Sequence, residues 1–506
     1  MFDFKNYLSK LDQEPQWLKD RRSKAWEKFS QLPMPLGTEE SWRLLDLDLV
    51  DLENVQPAQE VVSNLAPLSQ YKNKTAAYEQ IKESITDFAG VLIETAQGAW
   101  YELEPELAQQ GVIVTTAREA IAKHTDILKD YSGRHFAEKA HDSAYESSKF
   151  AMLNQAICAN GLVVYVPKNV EIKKPFLCLS LFSRSSETMH MSRLLIIAEQ
   201  HSRLSVINIL ASDMAEVNEP SMAKAKDNLA SPNLAKSVLA NADLSNAHLT
   251  NSRKLACANF LLEVFIGSGA ELNYVEAQNF DENTFAIGHS YYTQAQDSRL
   301  NALVVGMGGA QLKSEIHTNL IERGAESNLN GVLLGNSTER FNFNTIEDHL
   351  APNTTSNIDF RIALKDESQS IYHGIIQVDK LAQKTNAFLS NKNLLLSEKA
   401  HADSIPKLEI LADDVKCSHG ATVGSVDRKQ IFYLMSRGLS AAQAEELVVN
   451  GFFHELLASC QIEGVSDWLD ILVANKIAAG EKQRESIKDH PANTTVPGNK
   501  QPALTR

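Results

Sequence analysis

The chain has 506 residues, of which 43% are hydrophobic and 22% are charged, a composition typical of globular proteins. Acidic residues outnumber basic ones by 64 to 49, and the formal net charge is −15. Such a surface repels phosphate backbones and anionic lipids, which argues against nucleic acid or a membrane surface as a partner. The first twenty residues lack a basic segment followed by an apolar one, so we expect no secretory signal and a cytoplasmic location.

The five cysteines are Cys158, Cys178, Cys257, Cys417 and Cys460. Their number is odd and no two form a CxxC pair, so the sequence predicts neither a disulfide framework nor a self-contained zinc site. Free cysteines are usually small buried hydrophobic residues. This interpretation fits three of them, Cys158, Cys178 and Cys460, which have apolar neighbours.

The first part of the chain, residues 1–88, is predicted to be a helical domain. Trp17, Trp26 and other apolar residues recur there at roughly helical spacing among charged ones. Two further polar helices are expected near residues 117–129 and 136–148.

Residues 89–425 are predicted to form a mainly β core with peripheral helices. Short runs rich in Val, Ile and Leu are separated by turn-forming residues from about residue 161 onward. Apolar and polar residues alternate from Asn357 to Leu364, which indicates a strand with one buried face. A sandwich, a barrel and a β-helix all fit this pattern. A polar segment at 213–256 interrupts the core and is predicted to be a surface insertion.

Residues 426–479 are predicted to form a C-terminal helical domain. Asp427 and Ser440 are each followed three residues later by Gln, which is an N-cap signature. Gly438 stands where a helix end favours a left-handed residue. The expected helices are 428–437, 441–460 and 465–478. The remaining polar tail, residues 480–506, is predicted to be disordered.

One short segment, Lys416-Cys417-Ser418-His419-Gly420, combines a thiol and an imidazole. Residues two apart on an extended chain face the same side, so Cys417 and His419 are expected to point together. Thiolate and imidazole are ligands that iron and iron–sulfur centres accept. Two ligands are too few to hold a cluster, so the other donors must come from elsewhere, and we expect another chain to supply them. The alternative is that Cys417 packs in the core and His419 caps a turn.

Other polar residues carry weaker signals. Four further histidines are more typical of hydrogen-bonded structural residues than of metal ligands: His317, His349, His373 and His401. The run from Gly306 to Gly309 lacks both the GxGxxG spacing and the lysine of a P-loop, so it is predicted to be a turn.

Several runs of residues resemble a known family. They are Pro406–Ile410, Asp413–Gly424, Gln430–Leu434 and Ser436–Gly438, with support from Glu39–Arg43, Gly161–Pro167 and Asn391–Ser397. Together they closely resemble the SufB/SufD family of iron–sulfur cluster assembly scaffold proteins. The segment around Cys417 is more similar to the SufD branch, because the SufB pattern carries Glu-His-Glu there.

The resemblance implies a right-handed parallel β-helix core flanked by N-terminal and C-terminal α-helical domains. It also implies a heterodimer with SufB, in which each member binds one copy of the ATPase SufC through its C-terminal helices. The residues expected to bind this partner are Asp427, Phe432, Tyr433, Arg437 and Gly438.

By the same resemblance, His419 and Cys417 would be cofactor-binding and metal-binding residues of an incomplete site shared with SufB. A transient iron–sulfur cluster would form at that interface. The resemblance also allows a flavin to be bound by the complex. The chain would be a scaffold without catalytic residues, and ATP hydrolysis would take place on SufC. One alternative is a purely structural partner of SufB, and a more distant one is a β-helix polysaccharide-active enzyme.

Overall fold

The computed structural model describes residues 3–11, 14–49, 56–57, 65–71, 75–136, 148–185, 188–213 and 254–488. The helices in these ranges are α1 (Phe4–Ser9), α2 (Gln16–Gln31), α3 (Ala76–Ser84), α4 (Pro105–Gln109), α5 (Ala117–Lys123), α6 (Thr125–Tyr131), α7 (Lys149–Ile157), α8 (Arg428–Ser436), α9 (Ala441–Ala458) and α10 (Val465–Lys488). None of the described helices is long and apolar enough to cross a lipid bilayer.

The strands confirm the prediction of a mainly β core. They are β1 (Gln56–Pro57), β2 (Leu65–Pro67), β3 (Gly90–Thr95), β4 (Gly98–Leu103), β5 (Ile113–Thr116), β6 (Leu162–Val166), β7 (Phe176–Phe182), β8 (Thr188–Ala198), β9 (Arg203–Ser212), β10 (Ala256–Ile266), β11 (Glu271–Asn279), β12 (Thr284–Gln294), β13 (Arg299–Gly306), β14 (Gln311–Leu320), β15 (Glu326–Gly335), β16 (Arg340–His349), β17 (Thr355–Leu364), β18 (Gln369–Val378), β19 (Asn386–Leu395), β20 (His401–Ile410) and β21 (Lys416–Ser425).

Successive strands of the core alternate between two large, mostly parallel sheets. The first sheet has the order β20-β18-β16-β14-β12-β10-β8-β6-β5, and the short strand β1 pairs with β8. The second has the order β2-β4-β3-β7-β9-β11-β13-β15-β17-β19-β21. Because parallel neighbours pair residue by residue, side chains of the same register form rows that run across each sheet.

The main hydrophobic core lies between the two sheets, and strand β17 shows how it is built. Ile358 and Phe360 point inward and are fully buried, as the alternating pattern predicts. The outward residues Arg361 and Ala363 are buried as well, because α9 packs on this face of the second sheet. The prediction of a single buried face was therefore incomplete, since the helix that covers the other face lies about 90 residues away in sequence.

The helices at both ends of the chain share cores with the sheets. Helices α3, α9 and α10 bury Ile81, Phe453 and Trp468 against the outer face of the second sheet. Residues of α1, α2 and α7 bury their apolar side chains with Met189 and Phe285 of the first sheet. Helices are thus present in both terminal regions, as expected, but they pack on the β core, and the N-terminal region also contributes the short strands β1 and β2.

Several element boundaries differ from the sequence prediction. The helix predicted at 117–129 is two helices, α5 and α6, because His124 has a non-helical backbone conformation between them. Helix α10 continues to Lys488, past the predicted start of the disordered tail at residue 480, since its added residues are mostly strong helix formers.

Some predictions fall on residues that the structure does not describe. Of the helix predicted at 136–148, residues 137–147 lie outside the described ranges. The same holds for 214–253 of the predicted insertion and for 489–506 of the predicted tail. The end of the insertion is in fact core, because β10 begins at the buried residue Ala256.

Candidate functional site

The two ends of the strand stack are built differently. At one end the sheets include antiparallel pairs, β5 with β6 and β3 with β4. At the other end β20 and β21 are the last strands of the two sheets, and within the described ranges no strand pairs with their outer edges. We call the surface formed by these two strands the open end. An unpaired strand edge offers N–H and C=O groups to another chain.

Cys417 and His419 both lie on β21 at the open end. They pair in register with Ala387 and Leu389 of β19, which are both buried in the main core. The thiol and the imidazole are therefore on the inward-facing side of the strand, as the two-residue spacing predicts. Cys417 is half-buried and packs against the core, whereas His419 is exposed. The alternative that His419 caps a turn is wrong, because this residue is in the middle of a strand.

The two side chains extend rows of different chemistry. The register places small or polar residues in the row of Cys417: Ala387, Ser356 and Ser327. The row of His419 is apolar: Leu389, Ile358 and Leu329. The sequence spacing gave no sign of this difference, because the rows are made by residues about 30 positions apart.

Cys417 and His419 do not form a complete metal site by themselves. Burial raises the pKa of the Cys417 thiol, and a hydrogen bond with the backbone of Ala387 lowers it in part. The thiolate is the form that binds metals, so this thiol needs a nearby cation or metal before it becomes a strong ligand. No group of three His, Cys, Asp or Glu side chains able to hold a metal occurs in the part of the chain that the structure describes.

The other histidines named from the sequence lie on strands other than β21. His349 is buried, with Nδ1 2.7 Å from Thr354 Oγ1 and Nε2 2.9 Å from Ser356 Oγ. Burial lowers its pKa to about 4, so the ring is neutral and serves as a hydrogen-bonding bridge. His401 is exposed on β20, where its Nε2 is 3.1 Å from Asp403 Oδ1.

The outer face of the first sheet holds a buried polar cluster that was not predicted from the sequence. Glu315 lies 3.2 Å from Lys313 Nζ and 3.2 Å from His289 Nε2. Burial alone would raise the pKa of Glu315, but Lys313 and the hydrogen bond from His289 bring it below its usual value. His317 stacks on Tyr291 with 5.1 Å between ring centroids, and burial lowers its pKa to about 4. Strand alternation puts Glu315 and His317 on one face of β14, but it gives no information about their neighbours on β12.

A second set of predicted residues is gathered on helix α8. Asp427 is its N-cap and accepts a backbone N–H two residues further on. Phe432 and Tyr433 are 73% and 55% exposed. The Arg437 guanidinium lies 5.1 Å from the centroid of the Tyr433 ring, and Gly438 has the predicted positive φ of 98°. Helix α8 has no buried residue, so its aromatic side chains are available to a partner.

Helix α9, in contrast, is fastened to the second sheet. Arg361 of β17 donates to the carbonyl oxygen of Phe452 at 2.8 Å and also pairs with Glu455 of α9. The same guanidinium is 3.3 Å from Asp359 on its own strand. Lys365 at the end of β17 pairs with Glu445 near the start of α9. These contacts make α9 a rigid extension of the β core.

The glycine run after β13 is a turn, as predicted. Gly309 has a φ of +91°, and its N–H donates to the carbonyl oxygen of Phe280 at 3.0 Å. A Cβ on Gly308 would lie only 2.1 Å from that oxygen, so glycine is required by this close approach. The next element is strand β14, and the run therefore does not form the helix N-terminus that cradles a phosphate.

Two family models match the sequence. The SufBD core domain of the SUF iron–sulfur cluster assembly system matches residues 221–452. The N-terminal region of SufBD proteins matches residues 4–177.

Curated relatives agree with these matches. The iron–sulfur cluster assembly protein SufD of Bacillus subtilis is 28% identical over 472 residues, which are 93% of this chain and 96% of the relative. SufB of the same organism is 24% identical over 464 residues, covering 90% of this chain and 88% of the relative. A SufBD family protein of Staphylococcus epidermidis is 24% identical over 462 residues, with coverage of 90% and 88%.

Proposed function

Because the chain belongs to the SufBD family of iron–sulfur cluster assembly proteins and is a homologue of SufD, we propose that it is the SufD-like subunit of a SufB–SufC–SufD scaffold complex. The observation that carries this proposal is the position of Cys417 and His419. Both occupy an unpaired edge strand, on the inward-facing side, at the end of the stack that a second subunit could extend.

The open end has the features of a subunit interface. Two strand edges lie there, and the apolar side chains of Ile410, Leu411 and Val423 are exposed beside them. Exposed apolar residues next to unpaired edges favour pairing with another chain. We assign this surface to SufB, the sister member of the family.

At that interface the nascent cluster would be the cargo of the complex. His419 would offer an imidazole nitrogen, and Cys417 a thiol that becomes a ligand when metal binds. SufB would supply the remaining donors, because no group of three His, Cys, Asp or Glu side chains able to hold a metal occurs among the described residues of this chain. The chain would act as a scaffold, with ATP hydrolysis on SufC.

We assign SufC binding to the exposed aromatic face of α8, around Phe432 and Tyr433. Helix α8 follows β21 after two residues, so a partner on α8 would be connected directly to the strand that bears Cys417 and His419. A conformational change of SufC would then be transmitted through α8 to β21 and would shift the equilibrium between arrangements of the open end.

Three parts of the proposal rest on the family resemblance. We interpret the alternation of strands between two parallel sheets as the coils of a right-handed parallel β-helix. We place the complex in the cytoplasm. A flavin on the complex stays a prediction, and we assign it no residue of this chain.

The test is co-expression with SufB and SufC, anaerobic purification, and measurement of iron and sulfide per complex. His419→Ala is expected to lower the cluster content severalfold while the complex keeps its stoichiometry. His401→Ala is the matched control, because His401 is also an exposed histidine at the open end but lies on the outer face of β20. Unchanged iron in His419→Ala would refute the ligand role.

The second candidate is a purely structural partner of SufB. The raised pKa of the half-buried Cys417 thiol favours it, because a protonated thiol binds iron weakly. Under this alternative, Cys417→Ser and His419→Ala would both leave cluster content unchanged, whereas disruption of the open end would still release SufB.

A further inference from the structure

A segment near the N-terminus, residues 39–46, crosses the outer face of the first sheet, and we call it the strap. Its backbone is held by side chains of successive strands. The carbonyl oxygen of Ser41 accepts from Lys313 Nζ at 2.9 Å, and that of Arg43 accepts from Asn342 Nδ2 at 3.1 Å. Lys313 is on β14 and Asn342 is on β16, and the backbone of Asp46 is bound by Gln311 of β14, so the strap lies over these two neighbouring strands of the sheet.

The strap reaches β20, the last strand of this sheet. Arg43 Nη2 lies 2.5 Å from Asp403 Oδ2, and Lys407 Nζ lies 2.6 Å from Glu40 Oε2. Arg43 thus pairs with residue 403 of β20 and the earlier residue Glu40 pairs with residue 407. The strap and β20 therefore run in opposite directions. The chain before Glu40 is directed to the carboxyl end of β20.

The residues just before the strap are apolar and exposed. Leu36 is 60% exposed and Met34 is 39% exposed. The N–H of Glu39 donates to the carbonyl oxygen of Leu36 at 2.9 Å, which fixes Leu36 one turn from the strap. Ile410 and Leu411, at the carboxyl end of β20, are also exposed apolar residues of the open end.

The strap is firmly anchored, and this holds the adjacent residue Leu36 in a fixed position. Trp42 is buried against Phe150, with 5.4 Å between ring centroids. Leu44 adopts a φ of 85°, a conformation that a leucine keeps only when its surroundings hold it there. A preorganised apolar residue binds a partner with less loss of conformational entropy than a mobile one.

Helix α8 lies at the other end of β20. Arg428, the first residue of α8, is 2.6 Å from Glu398, which precedes β20 in the chain. A partner seated on α8 therefore approaches the amino end of β20, whereas Leu36 is directed to the carboxyl end. The strap and α8 therefore meet β20 toward its opposite ends.

We propose that Met34 and Leu36 extend the SufB-facing surface at the carboxyl end of β20, where the strap holds them in position to contact the sister chain. This inference rests on the proposed pairing at the open end. It adds a contact from the N-terminal part of the chain to an interface otherwise made by strands.

The test uses the full chain and SufB without SufC, and measures their dissociation constant. Leu36→Asp is expected to weaken pairing by roughly tenfold or more, because it places a charge in an apolar contact. Leu447→Asp is the matched control, since Leu447 is 52% exposed on α9, on the side of the second sheet. The melting temperature of the isolated chain should be unchanged in both variants, because both side chains are exposed.

Each outcome decides one question. Weaker pairing in Leu36→Asp alone supports the inference. Equal affinity of Leu36→Asp and the unsubstituted chain overturns it and leaves the proposed function standing. No pairing between the unsubstituted chain and SufB overturns the proposed interface, and the inference with it.

Discussion

Ala387 stands between Cys417 and Ser356 in one inward-facing row that ends at the open end. Ala387 is buried, and it is the last fully covered residue beneath the half-buried thiol. The side chain at position 387 therefore sets how deeply Cys417 can settle into the core. A methyl group at this place lets the thiol pack inward and still face the surface that we assign to SufB.

Ala387→Leu is expected to push Cys417 and the edge strand β21 outward. Overpacking a buried site by this amount costs about 1–3 kcal/mol of unfolding free energy. We also expect less iron per complex, because the thiol would be displaced from His419. Thermal unfolding of the isolated chain and iron analysis of the complex measure the two effects. Ala478→Leu, at an exposed position of α10, is the control and should change neither.

Arg361→Met is expected to loosen α9 from the second sheet. The substitution removes the hydrogen bond to Phe452 and leaves the partly buried carboxylate of Asp359 with Lys392, at 4.0 Å, as its remaining cation. Loss of the hydrogen bonds made by a buried charged group costs about 1–3 kcal/mol. Lys399→Met is the control, because Lys399 forms an exposed pair that contributes roughly 0–1 kcal/mol. Denaturant unfolding followed by circular dichroism distinguishes them, and similar losses in both variants would contradict the assigned role of Arg361.

Glu347 should make the protein less stable as the pH rises. It is fully buried between the sheets, and burial raises its pKa to about 8, although hydrogen bonds from Ser327 and Ser356 oppose the rise. Between its unfolded pKa near 4.5 and its folded pKa, the native state holds a proton that the unfolded state has released. The contribution of Glu347 to stability is therefore fully present below pH 4.5 and is lost as the pH rises toward its folded pKa of about 8.

Glu347→Gln should remove this dependence, which amounts to about 3 kcal/mol between pH 4.5 and pH 7. The measurement is the difference in unfolding free energy between the variant and the unsubstituted chain at several pH values. That difference should grow with pH up to about 8 and then level off. Glu409→Gln, the same substitution at an exposed position of β20, is the control. A flat difference for Glu347→Gln would show that Glu347 is ionised in the folded protein.

Local sequence signals predicted the elements whose causes are local. The capping box of α9 is one example, because Ser440 and Gln443 exchange their side-chain and backbone hydrogen bonds as the spacing predicts. Gly438 and the turn after β13 are others, since a positive φ or a close approach acts over a few residues. The shared face of Cys417 and His419 follows from strand alternation in the same way.

The remaining features depend on residues distant in sequence. Lys313 is buried by the strap, which lies some 270 positions earlier in the sequence. The residues of its own strand give no sign that this segment covers it. The row of Ser327, Ser356 and Ala387 likewise exists only because the strands stack in register. Periodicity predicts which side of a strand is buried, but it does not predict what covers it.

Ser440→Ala is expected to destabilise the start of α9. The serine hydroxyl accepts from the N–H of Gln443 at 3.2 Å, and the Gln443 side chain accepts from the N–H of Ser440 at 2.9 Å. Loss of such an N-cap costs about 1 kcal/mol, whereas glycine at the same position costs only a few tenths. Hydrogen exchange of the first turn of α9 should therefore be faster in Ser440→Ala than in Ser440→Gly. The reverse order would exclude capping as the reason for the effect.

Phe432→Asp is expected to weaken binding of SufC strongly without affecting the fold. Phe432 is largely exposed on a helix with no buried residue, so its replacement removes no core packing. If it is an aromatic anchor of the interface, its loss should cost at least about 2 kcal/mol, or roughly thirtyfold in affinity. Binding of purified SufC to the isolated chain measures this directly. Ile471→Asp is the control, because Ile471 is also exposed but lies on α10, outside the segment assigned to SufC. Equal loss of binding in both variants would indicate a general effect of added negative charge, and unchanged binding in Phe432→Asp would move the SufC surface away from α8.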